Sequence, residues 1–513
     1  GNFRGLMDLR AIPFSTHGKV TATDKPKAYD TEGISSDGYA NSNSWFFFFK
    51  TCNFMTGVSS FLVYARALTT TGADGLPQNP AGNGSLVADL PVRAAPANIS
   101  FSPRPIYEDS EAPAYGKAIA ECLTAVATTA VSDGTQTYTW RAAANTTLRA
   151  FFLNFTGQST TANALIASST ANVQQYLSAL RQQIFNLSFA ENTAENALRT
   201  AILDAIDEQD AMLPANYPAS VGLPAGAAVV RWNGTSFIPQ TTTTTLSAIS
   251  DIRRYAYPAE LYYYGNSQIY TSNNEVSTTS FSSATDWANV LTHYEYKTGA
   301  EISKNTLSVA LIDPLQYAVA CLRLNIKRTA ATLKDANDDA ITIGTQQFPL
   351  TGVIVGGQLP LGFDFKPKAP YSEVEARFAY DRNVADKNGN TIYLAAGSGA
   401  TESTSTLVLQ SYDGKNVPIV LEFANNSDKD FEGLNGIIYR GTKFYLVGLI
   451  NPDDASEGKT AATEGRVFTQ DYVTSVTVKI ASLAKAYNVL PDLLTPRLEI
   501  GVEISSQWIQ STP

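Results

Sequence analysis

Histidine is nearly missing from this chain: His17 and His293 are the two present in 513 residues. A histidine-based metal site, or a Ser-His or Cys-His mechanism, therefore has almost nothing to draw on. Cysteine is scarce as well. Cys52, Cys122 and Cys321 stand too far apart for a zinc site or a dense disulfide framework. Three buried thiols are the expected state, with one bridge plus one free thiol as the alternative. Charge is also thin, at 16% of residues against an average of about 25%. The net charge of −10 offers no concentrated basic face, so nucleic acid is excluded as a partner class and protein or glycan is favoured.

No apolar run reaches the roughly 20 residues that a membrane-spanning helix needs. The greasiest stretch, "SWFFFFKTCNFMTGVSSFLVYARA" from Ser44 to Ala67, breaks at Lys50 and Asn53. It reads either as strand buried on both faces or as strand awaiting a partner. Catalytic signatures are missing too. There is no GxSxG elbow, HExxH, Walker loop or GxGxxG at a strand-to-helix turn, so no catalytic, metal or cofactor residue is assigned. Asp335, Asp338 and Asp339 in "KDANDDA" lack the glycine and glutamate of a calcium loop and read as a hairpin tip. "DKNGN", with Asp386, Asn388 and Asn390, reads as an Asn-Gly turn. Paired carboxylates distant in sequence would leave no spacing signal, which keeps a hydrolase as the third-ranked function.

What is present is Thr, Ser, Asn, Ala and Tyr, the composition of a β-rich surface protein. At about 100–200 residues per domain the length fits two to four domains. Helical spacing is confined to about 114–212: Val173, Tyr176, Leu177, Leu180, Ile184 and Leu187 share one face, and Asn192 with Glu195 forms a capping-box pattern before Leu198, Ile202 and Ile206. Elsewhere strands dominate. Asn233-Gly234 marks a hairpin. Tyr255, Tyr257, Tyr262, Tyr263 and Tyr264 cluster around Pro258, either as a recognition surface or as half-buried strand faces. At the C-terminus Leu498, Ile500, Val502 and Ile504 alternate strictly with Glu499, Gly501, Glu503 and Ser505, a period of two with one apolar face. The backbone of such a strand needs partners in this chain or another.

Four segments, "VLEFANNSDKDFEGLNGIIYRGTKFYLVGLINP", "YPAELYYYGNSQIYTS", "LIDPLQYAVACLRLNIK" and the ending "RVFTQDYVTSVTVKIASLAKAYNVLP…RLEIGVEISSQW", resemble the fimbrillins of Bacteroidales, the FimA-type subunits of type V pili. The resemblance implies a mainly β fold of two β-sandwich-like domains of antiparallel strands: 1–304, carrying the helical insertion, and 305–513, ending in a donor strand. It implies export as a lipoprotein precursor to the outer membrane and the fimbrium, with membrane contact only through the lipid anchor. An arginine-directed protease would cut at Arg4 or Arg10 and free the strand Leu6 to Phe14. The donor strand would be Leu498 to Trp508, filling the vacated groove of a neighbouring subunit. Partners are then other pilus subunits and a host protein or glycan. The helical insertion, longer than a stalk subunit needs, points to a tip or accessory place. A glycan-binding outer-membrane lipoprotein of a polysaccharide-uptake system, stacking sugars on Tyr255 to Tyr264, is the alternative.

Overall fold

The computed structural model of the chain describes residues 7–15, 29–30, 58–67, 86–87, 101–103, 112–139, 173–212, 230–239, 254–271, 309–311, 315–362, 364–368, 370–394, 401–453, 465–488, 490–491, 493 and 499–509. The aromatic run at Trp45, Cys52, Arg4, Leu498 and the seam sought near 297–304 lie outside them. The fold is mainly β and sandwich-like, with three principal sheets.

The N-terminal sheet contains β1 (Met7–Ser15), β2 (Tyr29–Asp30), β3 (Val58–Arg66), β5 (Tyr262–Thr271), β6 (Val309–Leu311) and β7 (Gln316–Tyr317). Its order is β6-β5-β3-β1-β2, with β7 also on β5. The second sheet runs β4 (Tyr255–Ala256), β10 (Arg377–Asp381), β9 (Leu350–Gln358), β13 (Val417–Ala424), β14 (Lys443–Ile450). The third runs β11 (Thr401–Glu402), β8 (Ala320–Arg328), β15 (Val473–Ile480), β16 (Glu503–Ile509), with β12 (Thr406–Val408) also on β8.

The second and third sheets enclose the largest core. Along β13, Val417, Ile419, Leu421 and Phe423 point into it, while Val420 joins Tyr255, Phe378, Tyr380 and Tyr445 on the opposite face, covered by Tyr487, Leu490 and Leu493. Burial on both faces is why "VPIVLEFA" reads as a continuous apolar run. In β15 the pattern differs: Val476, Val478 and Ile480 are inside, and Ser475, Thr477 and Lys479 are only half-buried.

A second core joins the N-terminal sheet to the sandwich. Leu62, Tyr64, Tyr262 and Tyr263 pack with Cys321, Leu361, Phe365, Leu407 and Val473. Phe101 stacks on Phe365 at 3.9 Å, and Phe101 and Leu361 exchange two backbone hydrogen bonds. Among the described residues three strands cross between the expected halves: β4 pairs in parallel with β10, and β6 and β7 both pair with β5.

The helical region contains α1 (Ala112–Ala127), α2 (Val173–Phe185) and α3 (Ala194–Met212). Leu177, Leu180, Ile184, Leu198, Ile202 and Ile206 are buried at the spacing the sequence announces. One β-hairpin, Ala130–Ser132 with Thr137–Thr139, interrupts it. The cap of α3 is not Asn192, which lies at φ 60. Thr193 takes the role, its Oγ1 accepting the Asn196 N–H at 3.3 Å. The hairpin at Asn233-Gly234 forms between Val230–Trp232 and Phe237–Pro239. There Asn233 Oδ1 accepts the amides of Thr235 and Ser236, and Gly234 takes φ +101. Cys122 and Cys321 are buried.

Candidate assembly strands

The C-terminal segment closes the sandwich. Its course starts where the Glu499 amide donates to Tyr487 Oη at 3.0 Å and Lys485 pairs with Glu499 at 3.3 Å. The Gly501 amide then donates to the Val447 carbonyl at 2.9 Å, so the chain passes beside β14 before it joins β15. From Glu503 to Ile509 it forms an antiparallel ladder on β15, with Lys479 opposite Glu503 and Thr474 opposite Trp508. Val502 is buried in the sandwich core and Ile504 packs against it. Ile500, by contrast, is 38% exposed. β16 is the last strand of its sheet, and among the described residues β15 is its one strand partner.

Gly448 makes this seat possible. A Cβ there would meet Ile504 Cδ1 and, at 2.9 Å, Val502 Cγ2. Sequence reasoning missed Gly448, although a glycine inside the apolar strand "KFYLVGLI" is the signal of a close approach.

At the other end of the chain, β1 is hydrogen-bonded to β3 over most of its length, with Ile12 opposite Leu62 and Ala11 opposite Val63. Arg10 lies within β1, opposite Tyr64 on one side and Asp30 on the other. A protease cutting there would sever a paired strand and release only its first part. Removal of the whole of β1 would bare the edge of β3, whose Leu62 and Tyr64 belong to the second core.

Three of the five clustered tyrosines are interior. Tyr255, Tyr262 and Tyr263 are 1 to 4% exposed, and Tyr257 and Tyr264 are half-buried. Tyr263 stacks on Tyr317 at 4.9 Å. The three buried rings, Tyr255, Tyr262 and Tyr263, present no face to a sugar.

The acidic loops are likewise occupied. Asp335 Oδ1 accepts the amides of Asn337 and Asp339, and its Oδ2 accepts that of Glu432. Asp386 Oδ1 accepts the amides of Asn388 and Asn390, and Gly389 takes φ +81. Both carboxylates hold turns. Buried carboxyls are engaged as well. Glu422 accepts from Tyr380 Oη at 2.9 Å and from Thr351 Oγ1 at 2.7 Å, with Lys443 Nζ 3.5 Å away. Burial, then the Glu422 charge, push the Tyr380 phenol far up. Asp381 accepts from Thr406 Oγ1 at 2.6 Å, and its pKa is raised by burial. No group of three His, Cys, Asp or Glu able to hold a metal occurs among the described residues, and no helix among them is long and apolar enough to cross a membrane.

No protein-family model and no curated protein matches the chain. Solved structures with partial likeness include candidate cell adhesion proteins from three bacteria. That from Bacteroides eggerthii is 11% identical at a TM-score of 0.23, covering 49% of this chain and 64% of its own. The one from Parabacteroides distasonis is 10% identical at 0.22, covering 38% and 52%. A third, from Bacteroides uniformis, is 13% identical at 0.19, covering 38% and 51%. The chain thus spans between half and two thirds of the lengths of these proteins.

Proposed function

We propose that the chain is a cell-surface fimbrial subunit, at a tip or accessory position, that joins its neighbours by donor-strand exchange after its N-terminal strand is removed. The observation that carries this reading is the seat of the C-terminal strand. β16 is an end strand laddered onto β15, with Val502 just before it buried in the sandwich core and Ile504 packed against that core. A strand held this way can leave its own subunit and enter another at modest cost, because the same backbone bonds and apolar contacts re-form in the new groove. The driving force is then the vacancy left by β1, filled by the apolar face of Val502 and Ile504 at about 1.5–3 kcal/mol per side chain. Export as a lipoprotein, a place at the outer membrane, and binding of a host protein or glycan belong to the same proposal. Catalysis does not.

The test is a staple. Thr477 and Ser505 stand opposite each other across β15 and β16, so Thr477→Cys with Ser505→Cys places two thiols within disulfide reach. After limited trypsin digestion the oxidised double variant stays monomeric and the reduced one forms oligomer ladders. Ladders of equal extent in both states would reject strand release.

A further inference from the structure

The turn between α2 and α3 meets the sandwich at Arg440. Phe185, Asn186, Phe189, Asn196, Arg199 and Arg440 line an open cleft of about 320 Å³ between them, a volume at the small-ligand end of the pocket range of roughly 300–1,000 Å³. The guanidinium carbons of Arg199 and Arg440 stand 5.3 and 5.4 Å from the centroid of the Phe185 ring. Two cations therefore share one ring.

Their partners are mostly neutral. Arg199 donates from Nε to the Ile184 carbonyl at 3.2 Å and from Nη2 to that of Phe185. This caps the C-terminus of α2, and no carboxylate of the described residues pairs with it. Burial, and after it the Arg181 guanidinium, push the Arg199 pKa down, the mark of a cation short of compensating charge. Arg440 donates from Nη2 to Asn186 Oδ1 and from Nη1 to the Asp428 carbonyl at 3.4 Å. Its buried Nε has no hydrogen-bond acceptor and forms a longer ion pair with Asp430 Oδ1 at 3.6 Å. Arg181 differs, being held by both oxygens of Asp207 at 2.5 and 2.9 Å. Capping explains Arg199 alone. It does not explain a second arginine brought to the same ring from the sandwich, 254 residues along the chain from Asn186.

We infer that this cleft binds the carboxylate of an acidic sugar residue. Guanidinium groups take carboxylates through paired N–H donors. Asn186, Asn196 and the neighbouring Ser188 offer donors and acceptors for ring hydroxyls, and Phe189 offers an apolar wall. A free acidic side chain would use the arginines and leave the amides idle. This goes beyond assembly and stands whether or not the subunit polymerises.

Titration calorimetry of the intact monomeric chain tests it, with glucuronic acid and N-acetylneuraminic acid as probes and glucose and glutamate as controls. At least one acidic sugar binds saturably, glucose shows no binding, glutamate binds at least tenfold more weakly, and Arg440→Gln weakens the sugar at least tenfold. Arg440→Lys, which keeps charge without the fork, weakens it less. Far-UV circular dichroism and melting establish that each variant is folded. Failure of both acidic sugars, equal binding of glucose or glutamate, or unchanged affinity in folded Arg440 variants would overturn the assignment.

Discussion

Glu422 has no exposed surface, yet it sits in the middle of β13, where Tyr380, Thr351 and Lys443 converge on it. Removing a carboxylate from such a site leaves its donors buried without an acceptor. Glu422→Ala is therefore expected to cost about 3–5 kcal/mol in denaturant unfolding, and Tyr380→Phe only about 1–2 kcal/mol, since Thr351 and Lys443 remain. Equal costs would mean that the network is not shared. Asp364 behaves oppositely. Burial, offset in part by the Lys366 amide and ammonium, raises its pKa to about 6. The folded state then holds the proton more tightly than the unfolded one. The stabilising effect is complete below the ordinary value of 3.8 and is lost as pH rises through about 6. Above that pH the group costs on the order of 3 kcal/mol. Asp364→Asn, which keeps an oxygen for the Lys366 amide, should raise the melting temperature at pH 7.5 and leave it nearly unchanged at pH 3.5. A gain of the same size at both pH values would contradict the assignment of the penalty to the charge.

At the scale of the element, Gly448 decides how the C-terminal strand sits. Gly448→Val would drive its side chain into Ile504 and Val502, so amide exchange across 503–509 should quicken at least tenfold while β13 stays protected. Unchanged exchange would mean that the seat tolerates the bulk. Thr193→Ala should cost about 1 kcal/mol through loss of the α3 cap, measured by denaturant unfolding. What could be read from sequence follows the same lines. The helical spacing of Leu177, Leu180 and Ile184 and the turn at Asn233-Gly234 are local signals, and both are formed. Asn192 misled because a left-handed residue just outside a helix has the same composition as a cap. The tyrosines at 255–264 could not be assigned to a surface or a core from sequence. Tyr262 and Tyr263 are buried against Phe101, Tyr317 and Phe365, and Tyr255 against Phe378 and Tyr380, all brought in from remote segments. The same holds for the cleft at Arg440, whose ring partner Phe185 is on another element altogether.

For the whole molecule, β4, β6 and β7 each pair across the expected boundary between the halves, and the second core draws on the N-terminal sheet and the sandwich. Removing β1 would then take out the strand between β3 and β2 in a sheet that shares its core with the sandwich. In the proposed assembly the N-terminal strand is the one removed and the C-terminal strand is the one donated. Light scattering on chain separated by size exclusion, before and after limited trypsin digestion with N-terminal sequencing of the product, tests this directly. The account predicts a monomer that converts, once cut beside β1, into a ladder of SDS-resistant oligomers. A product cut at that position that remains strictly monomeric would contradict it.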